Sequence, residues 1–363
     1  MFFNKSKALL LSLLITLPLL WLGSKVYLFS NTPLILMDGS SQKFLLVPGV
    51  SIKRVAYALS KQKLLKEPLL FILWIRISGY ERSLKAGEYL IEPGITGPQM
   101  VRKMVRGEVI NHAFTIIEGW NFSQIIRALD ANPYIKHTVD GLSSSEIMEK
   151  IGHAGEHPEG KFAPDTYLFS GEIRDIELLE AAYNLMRHRL DKFWSQRADN
   201  LPYICAHEAL IVASLIEKET AKPEERLLIS GVILNRLVKG MLLQIDPTII
   251  YGLGDKYVGK LRREDMRRPS TYNTYLRKGL PPTPICMPSM AAIEAALHPA
   301  VTEYLYYVAK GDGTHEFSTN LESQNRSIKK YLLRGKHSKP SLRGARVVRS
   351  AEHVASDAAI HSF

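Results

Sequence analysis

The stretch AHEALIVASLIEKET, residues 206–220, decides how the centre of this chain folds. Eight consecutive apolar or small residues, 209–216, run directly into Glu217. A helix without a polar face over two turns is typical of a buried core, and Glu217 marks the end of that buried segment. We expect a carboxyl there to lose hydration, which raises its pKa and allows it to donate a proton near neutral pH. Glu217 is therefore the candidate general acid.

Helical spacing separates Glu217 from the second acid of this segment. Leu210, Ser214 and Glu217 fall on one stripe, whereas Glu219 points about 200° away from Glu217 around the helix axis. The two acids are therefore not expected to share a pocket. The structural alternative for Glu217 is a polar residue at a helix end, paired with a lysine or an arginine.

Two further motifs lie downstream, QIDPTIIY at Gln244–Tyr251 and YNTYLRKGLPP at Tyr272–Pro282. Together with EKET at 217–220 and the loop HPEGKFAPDTYLFS, they resemble the MltG (YceG-like) family of endolytic murein transglycosylases. The resemblance extends from about residue 44 to 331. It implies that Glu217 matches the catalytic glutamate of the family, that the substrate is peptidoglycan glycan strands, and that peptidoglycan synthases are partners. The family also implies a role in ending strand elongation.

A further run that resembles the family is HPAVTEYLYYVAKGDGTHEFSTNLESQN, residues 298–325. The polar and aromatic members of all these motifs are the candidates for binding substrate: Gln244, Asp246, Tyr251, Asn273, Tyr275 and Asn320. The alternative to substrate binding is a local structural role, in which Asp246 sets a turn and Asn273 caps one. A lytic transglycosylase needs one carboxyl, whereas an ordinary glycosidase needs two. A hydrolase with Asp246 or Glu219 as its second carboxylate, and a non-catalytic glycan-binding scaffold tethered to the membrane, remain open. We expect no cofactor and no metal.

The N-terminus predicts a membrane anchor. Residues 8–23 are uncharged and leucine-rich, they follow Lys5 and Lys7, and the apolar stretch extends to Phe29 if Lys25 snorkels. A cleaved signal peptide is the rival, but no small-x-small site follows the apolar core. The lysines favour a single-pass protein of the cell inner membrane, with a cytoplasmic N-terminus and an extracytoplasmic catalytic domain.

The remaining pattern predicts an α+β protein with several domains. A strand at 44–47, helices at 51–63, 68–78 and 97–107, and the strand in LKAGEYLIEPG form a small unit that resembles a LysM-like domain. LysM-type modules grip N-acetylglucosamine polymers; the alternative is a spacer. A helix at 223–239 and a hairpin around GDG at 311–313 belong to the catalytic domain. The predicted divisions are an anchor at 1–30, the LysM-like domain at 40–110, a mainly helical connecting region at 111–200, the catalytic domain at 201–333 and a basic tail at 334–363.

Charge and cysteine content add two expectations. The formal charge is +11, and part of it lies in the tail, which we expect to be a solvated, mobile extension. No nucleic-acid motif accompanies the charge, so nucleic acid is not expected as a partner. Cys205 and Cys286 either pair in an oxidising compartment or serve as buried apolar residues. In the loop HPEGKFAPDTYLFS, the aromatic residues Phe162, Tyr167 and Phe169 are interpreted as packing groups rather than sugar platforms.

Overall fold

The computed structural model describes residues 5–34 and 40–333 and divides the chain into two units. Unit 1 comprises the chain up to residue 113 together with 168–173, and unit 2 comprises 114–167 and the chain from residue 174 onward. Both units contain helices as well as strands, which confirms the predicted α+β class. The basic tail predicted at 334–363 lies outside the described residues.

Unit 1 contains a two-stranded antiparallel sheet covered by short helices. Phe44 lies opposite Tyr89 in this sheet, and both side chains are buried. Ser51 and Thr96 cap two of the helices by accepting hydrogen bonds from backbone N–H groups. The elements agree with those predicted for residues 44–107. In chain order they are α1 (Lys5–Asn31), β1 (Gln42–Leu46), α2 (Ile52–Lys61), α3 (Pro68–Ile77), β2 (Gly87–Ile91) and α4 (Gly97–Arg106).

Helix α1 contains the segment Ser12–Asn31, which is long and apolar enough to cross a membrane. Its 20 residues correspond to about 30 Å of helix, which is the thickness of the hydrocarbon core of a bilayer. Most side chains of this segment are exposed in the folded chain, unlike those of a core helix.

The region between residues 111 and 200 contains short strands as well as helices, so the prediction of a mainly helical region is not confirmed. Its elements are β3 (Asn111–Ile116), α5 (Phe122–Asp130), β4 (Ile135–Lys136), α6 (Ser144–Lys150), β5 (Asp165–Ser170), β6 (Ile173–Arg174) and α7 (Asp175–Ser195). Strand β3 pairs with β5, and β4 pairs with β6. The segment DTYLFS at the end of the motif HPEGKFAPDTYLFS forms β5, although the sequence analysis treats the whole motif as a loop. Its side chains alternate between more and less exposed positions, and this period of two is typical of a strand.

Unit 2 is built around the segment AHEALIVASLIEKET, residues 206–220. This segment forms α8 (Ala206–Glu219), whose residues 209–216 are at most 3% exposed and pack against neighbouring helices, α12 above all. The two-turn apolar run therefore forms a buried helix, as predicted. The other elements are α9 (Pro223–Val238), α10 (Asp246–Leu253), α11 (Arg263–Met266), α12 (Met290–Leu297), β7 (Tyr306–Ala309), β8 (His315–Ser318) and α13 (Leu321–Ile328). The hairpin of β7 and β8 turns at GDG, as predicted.

Candidate active site

Helix α8 leaves its buried environment at the three residues Glu217, Lys218 and Glu219, which are all half-buried. The helix ends at Glu219, and Thr220 follows in an extended conformation. Because successive residues are rotated by about 100° around a helix, the two carboxyls point to different sides of α8. Each side has its own set of partners.

Glu217 faces the start of α12. Its Oε2 accepts hydrogen bonds from the backbone N–H of Ser289 at 3.1 Å and from Ser289 Oγ at 2.5 Å. Ser289 is also the N-cap of α12 and accepts from Ala292 N–H at 3.1 Å. Glu217 therefore joins the end of α8 to the beginning of α12.

Two neighbours complete the Glu217 side. Lys218 Nζ donates to the carbonyl oxygen of Gly119 at 3.1 Å, on the loop between β3 and α5. Glu118, on the same loop, has a pKa raised by desolvation and by the negative charge of Glu217, while Arg226 opposes the shift. On this side, the Glu217 carboxyl is thus held by hydrogen bonds and lies among charged neighbours.

Glu219 lies in a different environment. Desolvation by burial, followed by the charge of Asp246, raises its pKa from 4.5 to about 7. A hydrogen bond from the Tyr307 hydroxyl and the charge of Arg236 oppose that shift without cancelling it. A carboxyl with these neighbours is protonated for a substantial fraction of the time near neutral pH, as a general acid must be.

Three of the predicted substrate-binding residues gather on the Glu219 side. Asp246, the first residue of α10, is exposed and accepts a hydrogen bond from the Tyr275 hydroxyl at 2.6 Å. Gln244 is exposed, and its side-chain oxygen accepts from Arg236 Nη1 at 3.4 Å. Gln244 has a φ of 55°, the left-handed region, and its backbone N–H donates to Thr274 O at 3.1 Å. The structure therefore brings Gln244, Asp246 and Tyr275 together around Glu219, not around Glu217.

Arg236 and Tyr307 are site residues that the sequence analysis missed. Arg236 is 7% exposed, and its guanidinium donates to the carbonyl oxygens of Leu305, Leu242 and Leu243 at 2.6, 3.1 and 2.8 Å. These bonds fix the loop that carries Gln244. The sequence did contain one signal for Arg236, because an arginine on the otherwise apolar side of the predicted helix 223–239 is unusual. The sequence contained no comparable signal for Tyr307, apart from its position in a strand.

The other three predicted residues have internal roles. The Tyr251 hydroxyl donates to Glu159 Oε2 at 2.9 Å. Asn273 is 1% exposed, donates to Met266 O and Arg268 O at 3.0 and 2.9 Å, and accepts from Tyr275 N–H at 2.9 Å. Asn320 caps α13 by accepting from Ser323 N–H at 2.9 Å. Asn273 therefore positions Tyr275 from within a turn, the alternative considered for it above.

Glu159 is a third carboxyl with a raised pKa, and it lies in the loop HPEGKFAPDTYLFS. It is 3% exposed, and burial raises its pKa to about 7 although Tyr251 and the backbone N–H of Phe122 donate to it. The loop packs inward, because Phe162 is fully buried and stacks on Phe122 with ring centroids 5.2 Å apart. The packing interpretation is therefore confirmed for Phe162.

The two cysteines lie in contrasting places. Cys205 is exposed immediately before α8, Cys286 is buried beside Ser214, and both are free thiols.

Comparison with known proteins gives a consistent result. A sequence model of the YceG-like family matches residues 44–330. An endolytic murein transglycosylase of Bacillus subtilis is 31% identical over 303 residues, which cover 78% of this chain and 83% of that protein. An endolytic murein transglycosylase of Streptococcus pneumoniae is 28% identical, over 90% of this chain and 65% of that protein. The crystal structure of a YceG-like protein from Listeria monocytogenes matches with a TM-score of 0.51 and 28% identity, over 80% of this chain and 99% of that one.

Proposed function

The chain belongs to the YceG-like family, and we propose that it is an endolytic murein transglycosylase. It cleaves the β-1,4 bond between N-acetylmuramic acid and N-acetylglucosamine within glycan strands and leaves 1,6-anhydro ends. The observation that carries this proposal is the half-buried carboxyl of Glu219, with a pKa raised to about 7, beside Asp246 and Tyr307. The raised pKa supplies the proton donor that glycosidic cleavage requires.

One carboxyl suffices for this chemistry. Glu219 donates its proton to the bridging oxygen as the C1–O bond breaks, and positive charge develops near C1 of the muramic acid. The C6 hydroxyl of the same sugar then forms the new bond to C1, and its proton passes to the Glu219 carboxylate. Because this nucleophile is already attached to the substrate, its effective concentration is high and no water molecule has to be held. The enzyme regains its original protonation state.

The neighbours of Glu219 have distinct roles in this proposal. The charge of Asp246 keeps the proton on Glu219 before cleavage and stabilises the developing positive charge near C1 during it. Gln244 and Tyr275 present an amide and a hydroxyl that orient the sugar. Glu217, the acid chosen from the sequence, is the rival proton donor. Its two bonds from Ser289 favour a structural role instead.

Unit 1 and the N-terminal helix locate the reaction. Helix α1 anchors the chain in the cell membrane as a single span, with the N-terminus in the cytoplasm and unit 2 outside. Unit 1 acts as a LysM-like domain that grips the glycan. An anchored site meets new strands before older wall, so the enzyme ends strand elongation and works beside peptidoglycan synthases.

The test is the chemistry of the products. Purified full-length protein is incubated with uncross-linked glycan strands, and the products are separated and analysed by mass spectrometry. The proposal requires 1,6-anhydro ends and a broad distribution of internal fragments. Reducing ends would identify a hydrolase, and unchanged strands with wild-type protein would contradict an enzymatic function.

A further inference from the structure

Helix α3 exposes a stripe of apolar side chains. Its sequence PLLFILWIRI buries Phe71, Ile72 and Ile75 in the core of unit 1. On the opposite side, Leu69 and Ile77 are 69% and 72% exposed, and the half-buried Leu73 lies between them at helical spacing. A surface helix of a soluble domain carries polar residues on that side. This stripe is about 12 Å long and continuous, unlike an isolated exposed leucine.

The C-terminal end of α1 is fixed into the same unit. The ring of Phe29 belongs to the unit 1 core and packs directly on Gly97, at a position where a Cβ atom would collide with it. The backbone N–H of Leu34 donates to Ile95 O at 2.7 Å, and Pro33 forms a bridge with Thr96. The C-terminal end of α1 is therefore held to unit 1 by core packing and by backbone hydrogen bonds.

This attachment places α3 at the end of the apolar span. Helix α3 contacts α1, and the two helices line a common cavity of about 200 Å³ that includes Leu28, Leu70, Lys25 and Lys66. Phe29 lies within the last helical turn of the segment Ser12–Asn31. Because one turn rises about 5.4 Å, the surface of unit 1 that surrounds this end lies within a few ångströms of the hydrocarbon core when α1 spans a bilayer.

The charges around the stripe match an anionic surface. Two acidic residues lie between positions 61 and 82, Glu67 and Glu81, and the latter pairs with Arg76 at 3.7 Å. Five basic residues in the same stretch are exposed, namely Lys61, Lys63, Lys66, Arg76 and Arg82. Basic residues that flank an apolar helical stripe are the pattern of a helix lying in a lipid headgroup region.

We propose that α3 is a second membrane contact, with Leu69, Leu73 and Ile77 inserted into the adjacent leaflet and the flanking basic residues on anionic phospholipid headgroups. This inference rests on the proposed anchoring by α1, and it is independent of the proposed chemistry. It makes unit 1 a domain held on the bilayer at two places, by the span and by α3.

Depth-dependent quenching of a fluorophore tests the contact. Full-length protein with Cys205→Ser is reconstituted into vesicles that contain phosphatidylglycerol, and single variants Leu69→Cys and Ile77→Cys are labelled with the fluorophore NBD. Tyr57→Cys, at a position 54% exposed on α2, is the matched control. We expect lipids with a nitroxide near the headgroup to quench the labels at 69 and 77 several-fold more than the label at 57, and more weakly without phosphatidylglycerol.

Three outcomes contradict the proposal and are distinguishable from one another. Equal quenching at 57, 69 and 77 overturns the contact and leaves the anchor intact. Blue-shifted emission at 69 and 77 without quenching assigns the stripe to a protein partner or a second copy. Protein that fails to float with the vesicles overturns the anchor together with this inference. The 1,6-anhydro assay on the same wild-type preparation reports separately on the proposed chemistry.

Discussion

The two sides of α8 place chemically identical side chains in opposite environments. Glu217 meets a helix N-terminus that supplies two hydrogen-bond donors. Glu219 is desolvated and faces the charge of Asp246, and the hydrogen bond from Tyr307 does not cancel the rise in its pKa. Desolvation and the charge of Asp246 oppose a negative charge on Glu219. The difference teaches that a carboxyl at the end of a buried helix acquires its chemistry from the elements that pack against it.

The largest expected effect separates the two acids directly. Glu219→Gln removes the proposed proton donor and should lower the rate of anhydro-end formation by roughly 10²–10⁴-fold. Glu217→Gln should lower the rate far less, although it weakens the bonds to Ser289. Rates are measured on folded proteins with matched circular dichroism. The opposite ranking would return the catalytic role to Glu217.

A third carboxyl sharpens the comparison, because Glu159 shares the raised pKa of Glu219 but is buried away from solvent. Its folded-state pKa of about 7 exceeds the unfolded value of 4.5, so its stabilising contribution is complete below pH 4.5 and is lost as the pH rises through 7. The shift corresponds to about 3 kcal/mol.

Thermal unfolding of Glu159→Gln between pH 4 and 8 measures this contribution. The variant should lose part of the pH dependence seen in the wild type, whereas the exposed control Glu149→Gln should keep it. Identical slopes for all three proteins would show that Glu159 does not titrate in this range.

Ser289→Ala tests the structural side of α8. It removes the hydroxyl that donates to Glu217 and the cap of α12, which together stabilise the fold by about 1–2 kcal/mol. We expect a lower midpoint of chemical unfolding and an unchanged pH profile of cleavage. A displaced pH profile would mean that Glu217 takes part in proton transfer.

Asp246→Asn tests the side of α8 that carries Glu219, where we propose that proton transfer occurs. Without the charge of Asp246, the pKa of Glu219 falls, so the alkaline limb of kcat/KM should move to lower pH. A shift of one unit lowers activity above pH 7 by about tenfold. Asp255→Asn, at an exposed position of the same unit, serves as the control. Loss of activity at every pH without a shift would limit Asp246 to sugar binding.

Much of the fold could be predicted because its signals are local. The apolar run 209–216, the helix that begins at Pro223 and the GDG hairpin each depend on periodicity or on turn residues within a short window. The region between residues 111 and 200 could not be predicted in the same way. Its strands are short and exposed on alternate positions, and their partners lie far along the chain.

The sequence motifs contain three residues of the candidate site, but the sequence could not show which acid they surround. The structure places Gln244, Asp246 and Tyr275 on the Glu219 side, and their binding of substrate stays a prediction. The proposed acid, Glu219, could not be identified from the sequence, because its pKa depends on Asp246, Tyr307 and Arg236, which different elements bring to it. Helical spacing indicated that Glu217 and Glu219 point apart, but it could not show which of them faces the motifs.

The backbone of Gln244 carries a consequence for how the protein evolves under laboratory selection. A non-glycine residue in the left-handed region costs about 1–2 kcal/mol, and glycine would occupy the same turn without that strain. Selection for heat resistance alone should therefore enrich glycine at position 244, and selection for wall cleavage should restore the amide. The two selections therefore favour different residues at position 244.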